Sequence, residues 1–129
     1  MRHARLKGLS SLLLILLITA VVAGAGVTPA SAAAKKVKHV TISNFAFAPQ
    51  TITVKAGTKV AWKNADGFVH QLVSTDSLKT TATITGMFSS PSLGKGQSFS
   101  FTFKKKGTYF YECTIHAAMA SMHGKVIVK

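Results

Sequence analysis

Six residues, Ser98-Phe-Ser-Phe-Thr-Phe103, restrict the possible folds more than any other stretch of the chain. Side chains alternate between the two faces of a β-strand, so Phe99, Phe101 and Phe103 share one face while Ser98, Ser100 and Thr102 share the other. Phenylalanines lined up in this way need a second sheet to cover them. The chain offers other short strands. Val37 to Ser43 alternates Val40 and Ile42 with His39 and Thr41 and reads as the first strand, which leaves His39 on the surface. Thr51 to Val54 and Thr58 to Lys63 follow, separated by Lys55-Ala-Gly57, a turn in which glycine can take positive φ. Trp62 alternates with Val60 and belongs to the core. Tyr109, Tyr111 and Cys113 share one face of a further strand, and Val126 and Val128 begin its return. Asn44 to Pro49 reads as a turn whose Phe45 and Phe47 plug the interior. Ser74 to Pro91, rich in threonine, reads as a long connection with one irregular edge strand around Thr81 to Thr85. Beyond the N-terminal apolar run no segment has a helical period. The expected fold is all-β, an antiparallel Greek-key β-sandwich of seven or eight strands.

That N-terminal run, from about Leu9 to Val27, follows Arg2, Arg5 and Lys7 and leads into Ala30-Ser31-Ala32, the small-x-small form of a signal peptidase site. Residues 1–32 are therefore expected to be a secretory signal peptide, 33–36 a flexible lead-in and 37–129 one domain. An uncleaved membrane anchor is the competing reading, since roughly 18 apolar residues can span a bilayer. Ser10, Ser11 and Thr19 interrupt the run, and the alanine-rich exit suits cleavage. The 97 residues left after Ala32 suffice for one compact domain and are too few for two.

Beyond residue 32 there are 13 lysines, no arginine and three acids, Asp66, Asp76 and Glu112, a net charge of about +10. Such a charge keeps a small domain soluble and attracts acidic partners or anionic surfaces from a distance. Nucleic acid is excluded as the partner: the protein is exported, it lacks the arginines that read base edges, and apart from Lys104 to Lys106 its lysines are scattered. A monomer is expected.

Cys113 is the only cysteine. In an exported chain it cannot close an internal disulfide, and a bare thiol outside the cytoplasm is prone to oxidation, so coordination to a metal accounts for its presence. His116 lies three residues later, Met119 and Met122 lie within ten, and His70 is available upstream. A strand, a tight loop and a returning strand would bring Cys113, His116 and a methionine to one end of a sheet. Thiolate, imidazole and thioether together make the donor set of a trigonal His2Cys copper site with a long axial methionine, which passes single electrons. Taken singly, a buried cysteine is an inert hydrophobe and a loop methionine is packing. Their coincidence in this order carries the argument. Thiolate and neutral imidazoles must lose protons to bind, so metal uptake should weaken at low pH.

Three stretches carry a family resemblance: GTYFYECTIH followed by MHGKVIV, the earlier VAWKNADGFVH, and SLGKGQSFSFTF between them. From about Val37 onward the chain resembles the small blue copper proteins, or cupredoxins, of the plastocyanin, amicyanin, pseudoazurin and rusticyanin kind. The resemblance implies one type 1 copper held by His70, Cys113, His116 and one methionine in a soluble electron carrier of redox proteins, with electrons crossing at the His116 edge beside Ala117 and Ala118. Counted from the returning strand, Met122 takes the axial place as in plastocyanin-like loops. Met119, three residues after His116, is the alternative, as in amicyanin-like loops. Gln71 departs from the family, where Asn, Ser or Thr commonly follows the first histidine and helps tie the two ligand loops together. His123 is expected to point outward.

Two other functions fit parts of the sequence. A copper carrier that hands metal to an oxidase would use exchangeable donors, and a metal-free interaction sandwich would need none. No pair of carboxylates or other acid/base partners points to catalysis.

Overall fold

The computed structural model describes residues 36–129, together with the isolated Gly24 and Gly26. The expected signal peptide and most of the lead-in lie outside the described residues. Ala33–Lys129 forms one compact unit. Among the described residues no helix is long and apolar enough to cross a membrane.

The described residues of this unit contain nine strands: β1 (Val37–Ser43), β2 (Ala46–Ala48), β3 (Thr51–Val54), β4 (Thr58–Asn64), β5 (Leu72–Thr75), β6 (Ile84–Ser89), β7 (Ser98–Phe103), β8 (Gly107–Cys113) and β9 (His123–Val128). They form a four-stranded sheet, ordered β2-β1-β4-β7, and a five-stranded sheet, ordered β3-β9-β8-β5-β6. The all-β sandwich is the expected one, but both of its sheets are mixed, because β1 runs parallel to β4 and β3 runs parallel to β9. Those two parallel pairs, and a count of nine, correct the expected detail of seven or eight antiparallel strands. A parallel pair leaves no local sequence mark: between β1 and β4 the chain passes through β2 and then through β3, which belongs to the other sheet.

Two further differences lie in the middle of the chain. Ala46–Ala48, within the expected turn, pairs with β1 as a short edge strand. The edge strand expected around Thr81 to Thr85 is β6, displaced to Ile84–Ser89, and it pairs with an additional strand, β5, with a register shift between Val73 and Thr75. All four residues of β5 are buried, so the alternation that reveals a half-exposed strand is missing there.

The core lies between the sheets. Trp62 of β4 is fully buried, with ring centroids 5.2 Å from Tyr111 of β8 and 6.0 Å from Phe99 of β7. Phe103 is buried as the alternation requires, and Phe99 and Phe101 are partly buried against the same cluster. Complete burial of each large apolar side chain of this kind contributes about 1.5–3 kcal/mol. Tyr111 makes one backbone position restrictive. Gly124 sits directly across from it in the β8–β9 register, and a Cβ on Gly124 would overlap the tyrosine ring. Gly57 has φ +87°, which accounts for glycine in the turn between β3 and β4.

Candidate metal centre

Cys113 ends β8, and its strand neighbours set its direction. Leu72 of β5 lies opposite it in the register, and Tyr111, two residues earlier on the same face, is locked in the core. The thiol is therefore fully buried at one end of the five-stranded sheet. His70 comes from a loop before β5. Its backbone N–H and C=O exchange hydrogen bonds with Leu93 at 3.1 and 2.7 Å, which fixes it as an isolated bridge between two connections. Asn64, the last residue of β4, shapes that loop: its side-chain amide donates to Phe68 O at 2.7 Å and Leu93 O at 2.8 Å, and its carbonyl accepts from the Asp66 amide at 2.8 Å. His116 closes a short 3-10 turn, Thr114–His116, directly after β8.

These elements bring three donors together. Cys113 Sγ lies 3.6 Å from His70 Nδ1 and 3.5 Å from His116 Nδ1. The three donor atoms all fall within 4.8 Å of one another. The ring of Phe45 stacks edge-on against His116 at 5.0 Å and lies 5.9 Å from His70, so it walls the cluster on the β1–β2 side.

Asp66 holds His70 from behind. Its Oδ2 is 3.0 Å from His70 Nε2, while its oxygens accept the backbone amides of Asn44 at 2.6 Å and Phe45 at 3.1 Å. A carboxylate can only accept, so His70 carries its proton on Nε2 and leaves the Nδ1 lone pair facing the thiol. Asn44 and Phe45 both have positive φ, 52° and 53°, a region that costs a phenylalanine on the order of 1–3 kcal/mol. The bonds to Asp66 offset that cost. Burial raises the Asp66 pKa, but the Phe45 and Asn44 amides and the His70 ring outweigh it and hold the carboxyl below its ordinary value.

The two methionines part company. Met122, which ends a second 3-10 turn at Ala120–Met122, is fully buried, and its amide donates to Met119 O at 2.8 Å. Met119 is 41% exposed. His123 differs from expectation: it is buried, with Nε2 donating to Ala117 O at 2.7 Å and Nδ1 3.5 Å from Glu112 Oε2. Glu112 is its direct partner across the β8–β9 register, and Gln50 donates to its carbonyl at 2.8 Å. Gln71, the departure from the family pattern, makes the link itself: Thr114 donates its hydroxyl to Gln71 Oε1 at 3.1 Å.

The sequence model for copper binding proteins of the plastocyanin/azurin family matches residues 33–129. The chain belongs to this copper-binding family. Plastocyanin A/B of Petroselinum crispum is 36% identical over 84 residues, a stretch covering 64% of this chain and 86% of the plastocyanin. Among solved structures, the purple cupredoxin from Nitrosopumilus maritimus superposes with a TM-score of 0.63 at 26% identity, covering 71% of this chain and 99% of that one. A reduced Cu(I) form of a mutant amicyanin superposes with a TM-score of 0.59 at 30% identity, covering 72% and 82%. These cupredoxin likenesses agree with the β-sandwich.

The donors fit the metal of the family. Donor separations of 3.5–3.6 Å are those expected of neighbouring ligands that each stand about 2.0–2.3 Å from one ion. Two imidazole nitrogens and one thiolate suit copper. Sequence reasoning named His70, Cys113 and His116 and missed the supports Asp66, Asn64 and Phe45. Asp66 had a signal: it is one of only three acids beyond residue 32, four residues before His70.

Proposed function

We propose that the chain is an exported type 1 copper protein that carries single electrons between redox proteins outside the cytoplasm. The observation that carries this reading is the convergence of Cys113 Sγ with the Nδ1 atoms of His70 and His116, two of the three residues fully buried. His70, Cys113 and His116 would hold the copper, and Met122 would supply the weak fourth, thioether donor. Its full burial favours it over the exposed Met119. Bound copper supplies a one-electron couple whose two states prefer different coordination, so a stiff site limits rearrangement.

The chain's own residues provide that stiffness. Asp66 fixes the tautomer of His70, β8 fixes Cys113, and the Gln71–Thr114 link joins the two loops. His116 is the half-buried member of the set, and exposed Phe68, Val69, Ile115 and Met119 form apolar surface on the loops around it. That surface can shed water in a brief contact with a partner. Four protein donors leave no place for a substrate, which favours a carrier over a catalyst. A copper chaperone would need donors that leave easily, whereas His70 and Cys113 are fully buried. The net charge of about +10 beyond residue 32 steers the protein toward acidic partners. The reading of residues 1–32 as a signal peptide supports a location outside the cytoplasm.

Stopped-flow electron transfer to acidic and basic test proteins checks this reading. Transfer to the acidic protein should be faster and should slow as salt rises. Failure to exchange electrons with either would overturn the carrier role.

A further inference from the structure

The lysines are unevenly placed on the fold. Strand register groups Val37, Val54, Thr58, Phe103, Gly107 and Val128 at the end of the sandwich opposite Cys113. Eight lysines collect there: Lys36 and Lys38 where β1 begins, Lys55 and Lys59 around the β3–β4 turn, Lys104, Lys105 and Lys106 between β7 and β8, and Lys129 after β9. All eight are exposed. Among the described residues no lysine forms an ion pair.

The acids do not neutralise this pole. Asp66 contacts His70 and Glu112 precedes Cys113, both at the copper end. Asp76, hydrogen-bonded by the Ser77 hydroxyl and the Thr83 amide, keeps its single negative charge in a groove with Met87 and Tyr109 and is far outnumbered by the eight lysines. Apolar surface runs between the lysines. One groove sets Met87, Phe101 and Tyr109 beside Lys104 and Lys105, and another sets Val37 and Val54 among Lys36, Lys38 and Lys55.

We propose that this basic pole docks on an anionic lipid surface and holds the copper end away from it. The chemistry favours lipid over a fixed protein epitope. Lysine is a flexible point charge without the forked geometry of arginine, and here it is spread across the ends of both sheets, which suits a diffuse layer of phosphate headgroups. The apolar grooves can receive lysine stems while the ammonium groups stay in water. The seven residues of β8 separate the pole from Cys113 by about 20 Å, about two and a half Debye lengths at physiological salt. The His116 face is thus open to partners while the pole is bound. The docking itself does not depend on the electron-carrier reading.

The test uses the full chain with vesicles of mixed phosphatidylglycerol and phosphatidylcholine, and with phosphatidylcholine alone as the blank for the apolar N-terminal segment. Lysines are acetylated by a water-soluble reagent and read by mass spectrometry. Anionic vesicles should protect Lys38, Lys55 and Lys104 to Lys106 severalfold, leave Lys63 and Lys95 reactive, and lose their effect at high salt. In salt-dependent vesicle binding, each lysine removed should weaken affinity about fivefold, so the triple change Lys104→Gln, Lys105→Gln, Lys106→Gln should cost about a hundredfold. The change Lys63→Gln with Lys95→Gln should cost far less. Equal protection at all lysines, protection on neutral vesicles, or protection of the pole by an acidic protein but not by anionic lipid would each overturn the proposal.

Discussion

Thr114 donates its hydroxyl to the side-chain carbonyl of Gln71 at 3.1 Å, and its amide donates to the Gln71 backbone carbonyl at 3.0 Å. Gln71 follows His70 and Thr114 follows Cys113, so the two donor segments are tied to each other one residue past each ligand. Thr114→Val removes the side-chain bond and keeps the backbone one. The loss is expected to be about 0.5–1.5 kcal/mol, since both groups are half-buried and water can replace the partner. Thermal unfolding of the metal-free protein measures it, and an unchanged midpoint would assign the link to the backbone alone.

Gly124→Ala should be far more damaging than its size implies. The added Cβ meets the ring of Tyr111, which is pinned under Trp62 and cannot swing away. Overpacking of this kind costs about 1–3 kcal/mol. Denaturant unfolding checks it, and the double change with Tyr111→Phe should recover little, because ring atoms as well as the hydroxyl are in the way.

What could be read from the sequence followed from local pattern. The boundaries of β1, β3 and β7, the burial of Trp62 and the exposed position of His39 all come from period-two alternation. The donor set was legible because thiol, imidazole and thioether stand close in sequence. Features set by long-range register were not. His123 looked like an outward strand residue, yet pairing places it against Glu112 and the loop folds its Ala117 carbonyl over the ring. Asp66 reaches His70 only because the Asn44–Phe45 turn, some twenty residues earlier, clasps the same carboxylate.

The two methionines are separated by voltammetry. Losing a thioether donor to Cu(II) disfavours the oxidised form, so Met122→Leu should raise the reduction potential while the site keeps its colour. Met119→Leu should change the potential little and alter the partner contact instead. A large shift in Met119→Leu alone would make Met119 the axial ligand.

Asp76 should contribute to acid sensitivity. The Thr83 amide and the Ser77 hydroxyl hold its carboxyl below the ordinary value of 3.8. A carboxylate depressed in the folded state stabilises the fold above its unfolded pKa, and the contribution disappears as pH falls through the lower folded value. The metal-free wild type should therefore lose more stability below about pH 4 than Asp76→Asn does. Parallel loss in both, followed by thermal unfolding between pH 5 and pH 3, would show that Asp76 is not the group responsible.

Adding Cu(II) to the purified protein and recording its visible and electron paramagnetic resonance spectra tests the metal centre most directly. One equivalent should give an intense blue to purple colour from thiolate-to-copper charge transfer, and Cys113→Ser should abolish it. A wild type that binds Cu(II) but stays pale, with an ordinary tetragonal spectrum, would contradict the His70, Cys113 and His116 site.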